Sequence, residues 1–174
     1  RIGKAVSVRG KAFGMTVLAH DPFGDLAFAA EHGIKLVGLE ELLRASDYVT
    51  LHIPMLPGTK EIISARTIAL MKPTALLVNT ARGGVVNEPD LYAALKAGRL
   101  AGAALDVLDE EPPPPDHPLL SLENVVFTAH TAGIDTQGRD DMARVAAQAI
   151  AKLLGGEWPD GWVVNPTVRQ KWGL

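Results

Sequence analysis

The feature that most constrains this chain is an alternation. Short apolar runs recur at residues 16–21, 48–53, 75–80, 101–107 and 124–130, and helical patterns lie at 2–13, 25–31, 39–45, 64–71, 88–97 and 135–154. Strands joined through intervening helices pair in parallel, because each helix returns the chain to the starting edge of the sheet. The run Leu76-Leu77-Val78 lacks polar alternation, as expected of a strand buried on both faces. Gly14, Gly33 and Gly98 follow helical patterns and Pro73 lies just past Met71, where helix stops belong. The expected fold class is α/β, a doubly wound parallel sheet with helices on both faces.

With 174 residues, 47% of them apolar, the chain can bury one substantial core without staples. It contains no cysteine, which excludes disulfides, a thiolate metal site and a cysteine nucleophile, and fits a reducing, cytoplasmic setting. No metal is expected. A net charge of −3 with interspersed signs suggests neither nucleic-acid binding nor a basic membrane patch, so a small ligand is the expected partner. No apolar run approaches a membrane span. Four consecutive prolines, Pro112 to Pro115, make an exposed, stiff connection after the 101–107 strand. Residues 1–157 read as one Rossmann-type domain, and 158–174, where periodicity fades, as a tail leaving it. Such a sheet opens with a strand before its first helix, whereas Arg1-Ile2-Gly3 already stands at a helix start. That strand is expected to be missing, and Arg1, which follows no leader pattern, to be a cut in a longer chain.

In an open parallel sheet the ligand crevice lies outside the carboxyl ends of the strands. Polar or unusual residues gather at those ends here: Asp21, His52-Ile53-Pro54, Asn79-Thr80-Ala81-Arg82-Gly83-Gly84, Asp106, and His130-Thr131-Ala132-Gly133. Asp21, eighteen residues after Gly3, sits where an acidic residue takes ribose hydroxyls in dinucleotide folds; it also suits the turn Asp21-Pro22-Phe23-Gly24 on its own account. Arg82 as a surface arginine, Asp106 as a turn aspartate and His130 as a buried core histidine are each reasonable singly, and their convergence on one rim is the argument for a site. Ketone reduction by hydride needs a proton for the oxygen, which suits His130, and a carboxylate on the far ring nitrogen fixes the tautomer, from Glu110 or Glu111. Arg82 beside Gly83 and Gly84 offers a planar fork for a substrate carboxylate.

The strings RIGKAVSVRGKAFGMTVLAHDPF, LHIPMLPGTKEII, LMKPTALLVNTARGGVVNEPDLYAALKAGRLAGAALDVLDEEPPPPDHPL and NVVFTAHTAGI resemble the D-isomer-specific 2-hydroxyacid dehydrogenases, the family of phosphoglycerate, glyoxylate and hydroxypyruvate reducing enzymes. The resemblance implies an NAD-dependent oxidoreductase interconverting a D-2-hydroxy acid and its 2-keto acid. It gives Arg82 the substrate-orienting role, Glu111 that of carboxylate partner and His130 that of acid/base, leaving Glu110 a bystander. For NAD it implies Arg1 and Ile2 at the pyrophosphate, Asp21 at the ribose, Ile53 and Pro54 at the adenosine side and Thr59 closing that loop. Thr80, Ala81 and Arg82 would line the nicotinamide half, Asp106 would hold the carboxamide region, and Ala132 and Gly133 would follow His130 along the ring.

Two departures from the family pattern, Ala129 for a usual proline and Asn87 for a frequent aspartate, remove no reacting group. A separate substrate domain and a homodimer through the nucleotide domain are also implied, with the Trp158 and Trp162 segment a candidate contact and the tail VVNPTVRQKWGL a return toward the substrate domain. The non-catalytic alternative is an NAD-sensing corepressor of the same fold. A formate-type enzyme is disfavoured, because that branch has glutamine where Glu111 stands.

Overall fold

A computed structural model describes residues 1–172 of the chain. It divides into two compact units, residues 1–130 and the segment from Thr131 onward.

The first unit alternates as expected. It contains α1 (Ile2–Ala12), β1 (Leu18–Ala19), α2 (Leu26–Glu31), β2 (Lys35–Leu36), α3 (Leu39–Ala45), β3 (Tyr48–Leu51), α4 (Ala65–Ile68), β4 (Leu76–Asn79), α5 (Glu88–Lys96), β5 (Gly102–Leu105) and β6 (Val125–Phe127). All the pairings are parallel. One sheet has the order β3-β4-β5-β6 and a second consists of β1-β2. The fold is therefore the expected Rossmann-like α/β arrangement, with its strands in two separate sheets.

Three local features depart from the sequence expectation. The 16–21 run shortens to two paired residues, and its partner β2 was not foreseen, because a two-residue strand has no periodicity to read. The 64–71 helix stops at Ile68 because, past the Ala69 amide, those of Leu70 and Met71 bond three residues back to Thr67 and Ile68 and tighten the turn ahead of Pro73. Its start is held by a reciprocal cap in which Thr67 Oγ1 accepts from the Ser64 amide at 2.8 Å.

The core of this unit gathers Leu43, Ile63, Leu77, Val85, Leu91 and Leu100, all essentially inaccessible, between the four-stranded sheet and its covering segments. On β3 the burial alternates, with Val49 and Leu51 inside and Tyr48 and Thr50 exposed, whereas every residue of β4 is at least partly covered. This is the contrast expected between an edge and an interior strand.

The second unit is built on α6 (Thr136–Leu154), capped by Asp135 through the Gly138 amide, and ends in a 3₁₀ stretch, Pro166–Trp172. No residue of α6 is buried, while Trp158 and Pro159 are. Among the described residues no helix is long and apolar enough to cross a membrane.

Leu77 lies at the centre of the middle strand pair and is fully buried. Leu77→Ala should therefore lower the unfolding free energy by about 2–5 kcal/mol, read from denaturant midpoints at unchanged slope. A change below about 1 kcal/mol would contradict this placement of the core.

Candidate functional site

The sheet register sets the site. Asn79 pairs with Leu105, and Leu105 with Phe127, so the residues that follow β4, β5 and β6 emerge side by side. Backbone bonds continue the ladder past the strands: the Asp106 amide donates to the Asn79 carbonyl, Thr128 to Leu105 and His130 to Asp106, at 2.9, 3.0 and 2.9 Å. Asn79, itself buried, turns the chain after β4. Its Oδ1 accepts the Ala81 amide at 3.0 Å, and its Nδ2 donates to the Arg82 carbonyl at 2.9 Å.

Glu111 reaches His130 across this rim. Its Oε2 lies 2.7 Å from His130 Nδ1, and its Oε1 accepts the Leu108 amide at 3.0 Å. Both side chains stay open to solvent, at 36% and 49% exposure. The bond to His130, then that from Leu108, holds the Glu111 carboxyl below its ordinary value of 4.5. An ionised carboxylate can only accept, so Nδ1 carries the hydrogen and Nε2 is left as the position for proton exchange. His130 has a φ of 55°, a left-handed conformation uncommon outside glycine. A cavity of about 560 Å³ is bounded by Asp106, Leu108, Glu111, Phe127, Thr128 and His130, together with the start of the proline run.

Of the other residues singled out from the sequence, Asp106 is 5% exposed, and its Oδ1 accepts the Thr128 hydroxyl. Arg82 stands at the neighbouring strand end and not in the cavity lining; one guanidinium nitrogen donates to the Ala81 carbonyl at 2.6 Å. Thr80 is half-buried and Ala81 buried. Thr59 closes the loop after β3, donating to the Pro54 carbonyl at 2.6 Å and accepting the Leu56 amide at 2.8 Å, with Ile53 at the start of that loop. Arg1 caps α1 without a side-chain bond, and Ile2 is exposed. Asp21 makes the turn bond as well, accepting the Phe23 amide on Oδ1 at 2.8 Å, which leaves Oδ2 for another partner. Ala132 and Gly133 belong to the second unit, in the turn closed by the Ile134 amide on the Thr131 carbonyl. Glu110 is exposed.

The structure adds residues that sequence reading passed over. Thr128 was visible only as a residue two places before His130, and Asn79 as a polar strand end. Glu88 and His117 gave no signal, since they are 29 residues apart and only the fold brings them to 3.1 Å. Lys4 was likewise passed over; it pairs with Asp25 at 2.5 Å.

These residues fit a dinucleotide. The first turn of α1 carries no acidic side chain and no side-chain cap, so its amides and positive dipole end remain for a pyrophosphate. Gly3 packs against His52 at the end of β3, and burial lowers the His52 pKa. Asp21 follows β1, and Asp106 stands at the end of β5. A helix start free of acidic side chains and carboxylates at the strand ends suit a dinucleotide on an α/β domain.

The family model described as D-isomer specific 2-hydroxyacid dehydrogenase, NAD binding domain, matches residues 1–132. The chain belongs to that family and represents its NAD-binding part. It is 45% identical over 169 residues to a glyoxylate reductase of Korarchaeum cryptofilum, covering 97% of this chain and 51% of that one. It is 42% identical over 172 residues to a D-3-phosphoglycerate dehydrogenase of Methanocaldococcus jannaschii, covering 98% and 33%. The NAD-complexed crystal structure of a D-isomer specific 2-hydroxyacid dehydrogenase from Lactobacillus delbrueckii ssp. bulgaricus superposes with a TM-score of 0.84 at 30% identity, covering 91% and 52%. The chain thus spans between a third and about half of these relatives.

The Glu111–His130 bond has a defined pH window. A depressed carboxyl stabilises the fold above its unfolded value, and that contribution is lost as pH falls through the lowered, folded value. His130→Ala should raise the Glu111 midpoint toward the ordinary carboxylate range, measured by NMR of the labelled side-chain carboxyl. An unmoved midpoint would mean that the two side chains are not paired in solution.

Proposed function

We propose that this chain supplies the nucleotide half and the proton-transfer pair of an NAD-dependent dehydrogenase that interconverts a D-2-hydroxy acid and its 2-keto acid. The observation that carries the reading is the Glu111–His130 pair at 2.7 Å, on the strand-end rim of a domain whose family binds NAD. NAD, when bound, supplies the hydride acceptor or donor. The protein's own groups handle the proton and the orientation. In oxidation His130 Nε2 takes the hydroxyl proton while Glu111 stabilises the charge gained by the ring, and in reduction the proton returns to the carbonyl oxygen. Arg82 retains guanidinium N–H groups beyond the one on Ala81, and these suit a substrate carboxylate by charge and fork geometry. Asp106, fixed by Thr128, is read as the carboxamide holder, and Ala132 and Gly133 as neighbours of the nicotinamide.

We read residues 1–157 as the NAD-binding domain and 158–174 as a tail returning toward a substrate domain, since the relatives are two to three times longer. The complete protein is read as a cytoplasmic homodimer, on the absence of cysteine and the likeness to this family.

The class is tested by turnover. The complete protein, assayed with NADH against glyoxylate, hydroxypyruvate and other 2-keto acids, should oxidise NADH in a keto-acid-dependent way. Glu111→Gln should reduce kcat/KM by about 10²–10⁴-fold, whereas Glu110→Gln should leave it nearly unchanged. Binding without turnover on any 2-keto acid would favour the NAD-sensing alternative, and equal losses in both variants would show that the pairing register is misassigned.

Cofactor choice has its own test. The Asp21 carboxylate repels a 2′-phosphate, and residues 20–25 contain no lysine or arginine to offset that repulsion. NADH should bind more tightly than NADPH in a fluorescence titration, and Asp21→Ala should narrow the difference. Equal affinity for the two in the parent protein would remove Asp21 from the ribose.

A further inference from the structure

We propose that Glu88 and His117 form a positioning pair that holds the 106–111 turn so that Glu111 is presented to His130. This rests on the reading of Glu111 and His130 as the proton-transfer pair.

Glu88 is the first residue of α5 and, at 9% exposure, one of few buried charged side chains. Its Oε1 accepts the Asp109 amide at 2.8 Å, and its Oε2 meets His117 Nε2 at 3.1 Å. The other ring nitrogen of His117 is buried without a hydrogen-bond partner, so Glu88 is the polar anchor of that imidazole. Glu111 uses the same device one residue earlier, with one oxygen on the Leu108 amide and the other on His130. Two successive amides are therefore held by two carboxylates, each also bonded to an imidazole. One pair is open to solvent and the other is covered.

The turn is also fixed from behind. A Cβ on Gly83 would fall on the Leu108 carbonyl and the Asp109 amide, so the 108–109 peptide lies against the Gly83 backbone on one side and is bonded by Glu88 on another. Gly83 and Glu88 both follow Arg82 within six residues. The segment that carries the substrate-orienting arginine thereby holds the turn that carries Glu111. Burying a carboxylate is costly unless its hydrogen bonds are made, and here the cost is increased by like charge: burial first, then Glu88 and Glu61, raise the Asp109 pKa, opposed by Lys60 and His117. Apolar packing would fill the same space without that repulsion, but it would not grip the Asp109 amide in one orientation.

The groups facing Glu111 are His130 and Asp106, and those facing Glu88 are Asp109 and His117. The experiment uses the complete protein with labelled glutamate carboxyls, Glu111→Gln assigning the resonance. Glu88→Ala should raise the Glu111 midpoint as His130→Ala does, and should speed exchange of the Asp109 amide by about tenfold. Glu88→Gln, which keeps an acceptor for that amide, should restore the parent midpoint. If Glu88→Ala does not fold, His117→Ala carries the same measurement: a raised midpoint supports the pair and an unchanged one overturns it. If His130→Ala moves the Glu111 midpoint and Glu88→Ala does not, the positioning role is wrong while the proton-transfer reading stands. If His130→Ala itself has no effect, the underlying pair fails first.

Discussion

Everything in the site depends on in-register parallel pairing. Because β4, β5 and β6 run the same way and end level at Asn79, Leu105 and Phe127, the chain leaves the sheet three times at one rim. The bonds from Asp106 to Asn79 and from His130 to Asp106 extend the ladder past the strands, so Asp106 and His130 inherit the rigidity of the sheet. A one-residue slip of β6 would turn Thr128 away from Asp106 and move His130 out of reach of Glu111.

Small polar side chains then shape the rim. Asn79 spends its amide on the turn behind Arg82, Thr128 its hydroxyl on Asp106 and Thr59 its hydroxyl on the loop after β3. Each of these hydrogen bonds pairs a backbone or carboxylate group where the chain leaves the sheet. The 106–111 turn is treated differently. It is gripped by two carboxylates on adjacent amides, and this gives the turn ahead of the prolines a defined orientation.

Much of this was legible in the sequence, for specific reasons. The α5 helix was readable to within a residue because Asn87 caps it, Pro89 lies in its first turn and Gly98 follows it. The 48–53 and 75–80 runs were readable because their apolar residues must be buried. What escaped was either too short to have a period, as with β2, or lacked local chemistry, as with His117, which read as one polar residue in a proline-rich stretch. The choice between Glu110 and Glu111 was open to residue-level reasoning, since adjacent side chains on an extended loop differ only in direction; in the folded chain Glu111 is the one bonded to His130.

By itself the sequence determined the order of the helices and of the longer strands, the parallel sense of those strands and which strand ends carry ionisable groups, because periodicity and punctuation are local properties of the chain. Tertiary structure alone decided which ionisable groups meet. Glu111 and His130 are 19 residues apart, and Glu88 and His117 are 29. Their contacts arise from the level ending of neighbouring strands and from the close approach of the 108–109 peptide to Gly83, and no short stretch of sequence encodes either distance.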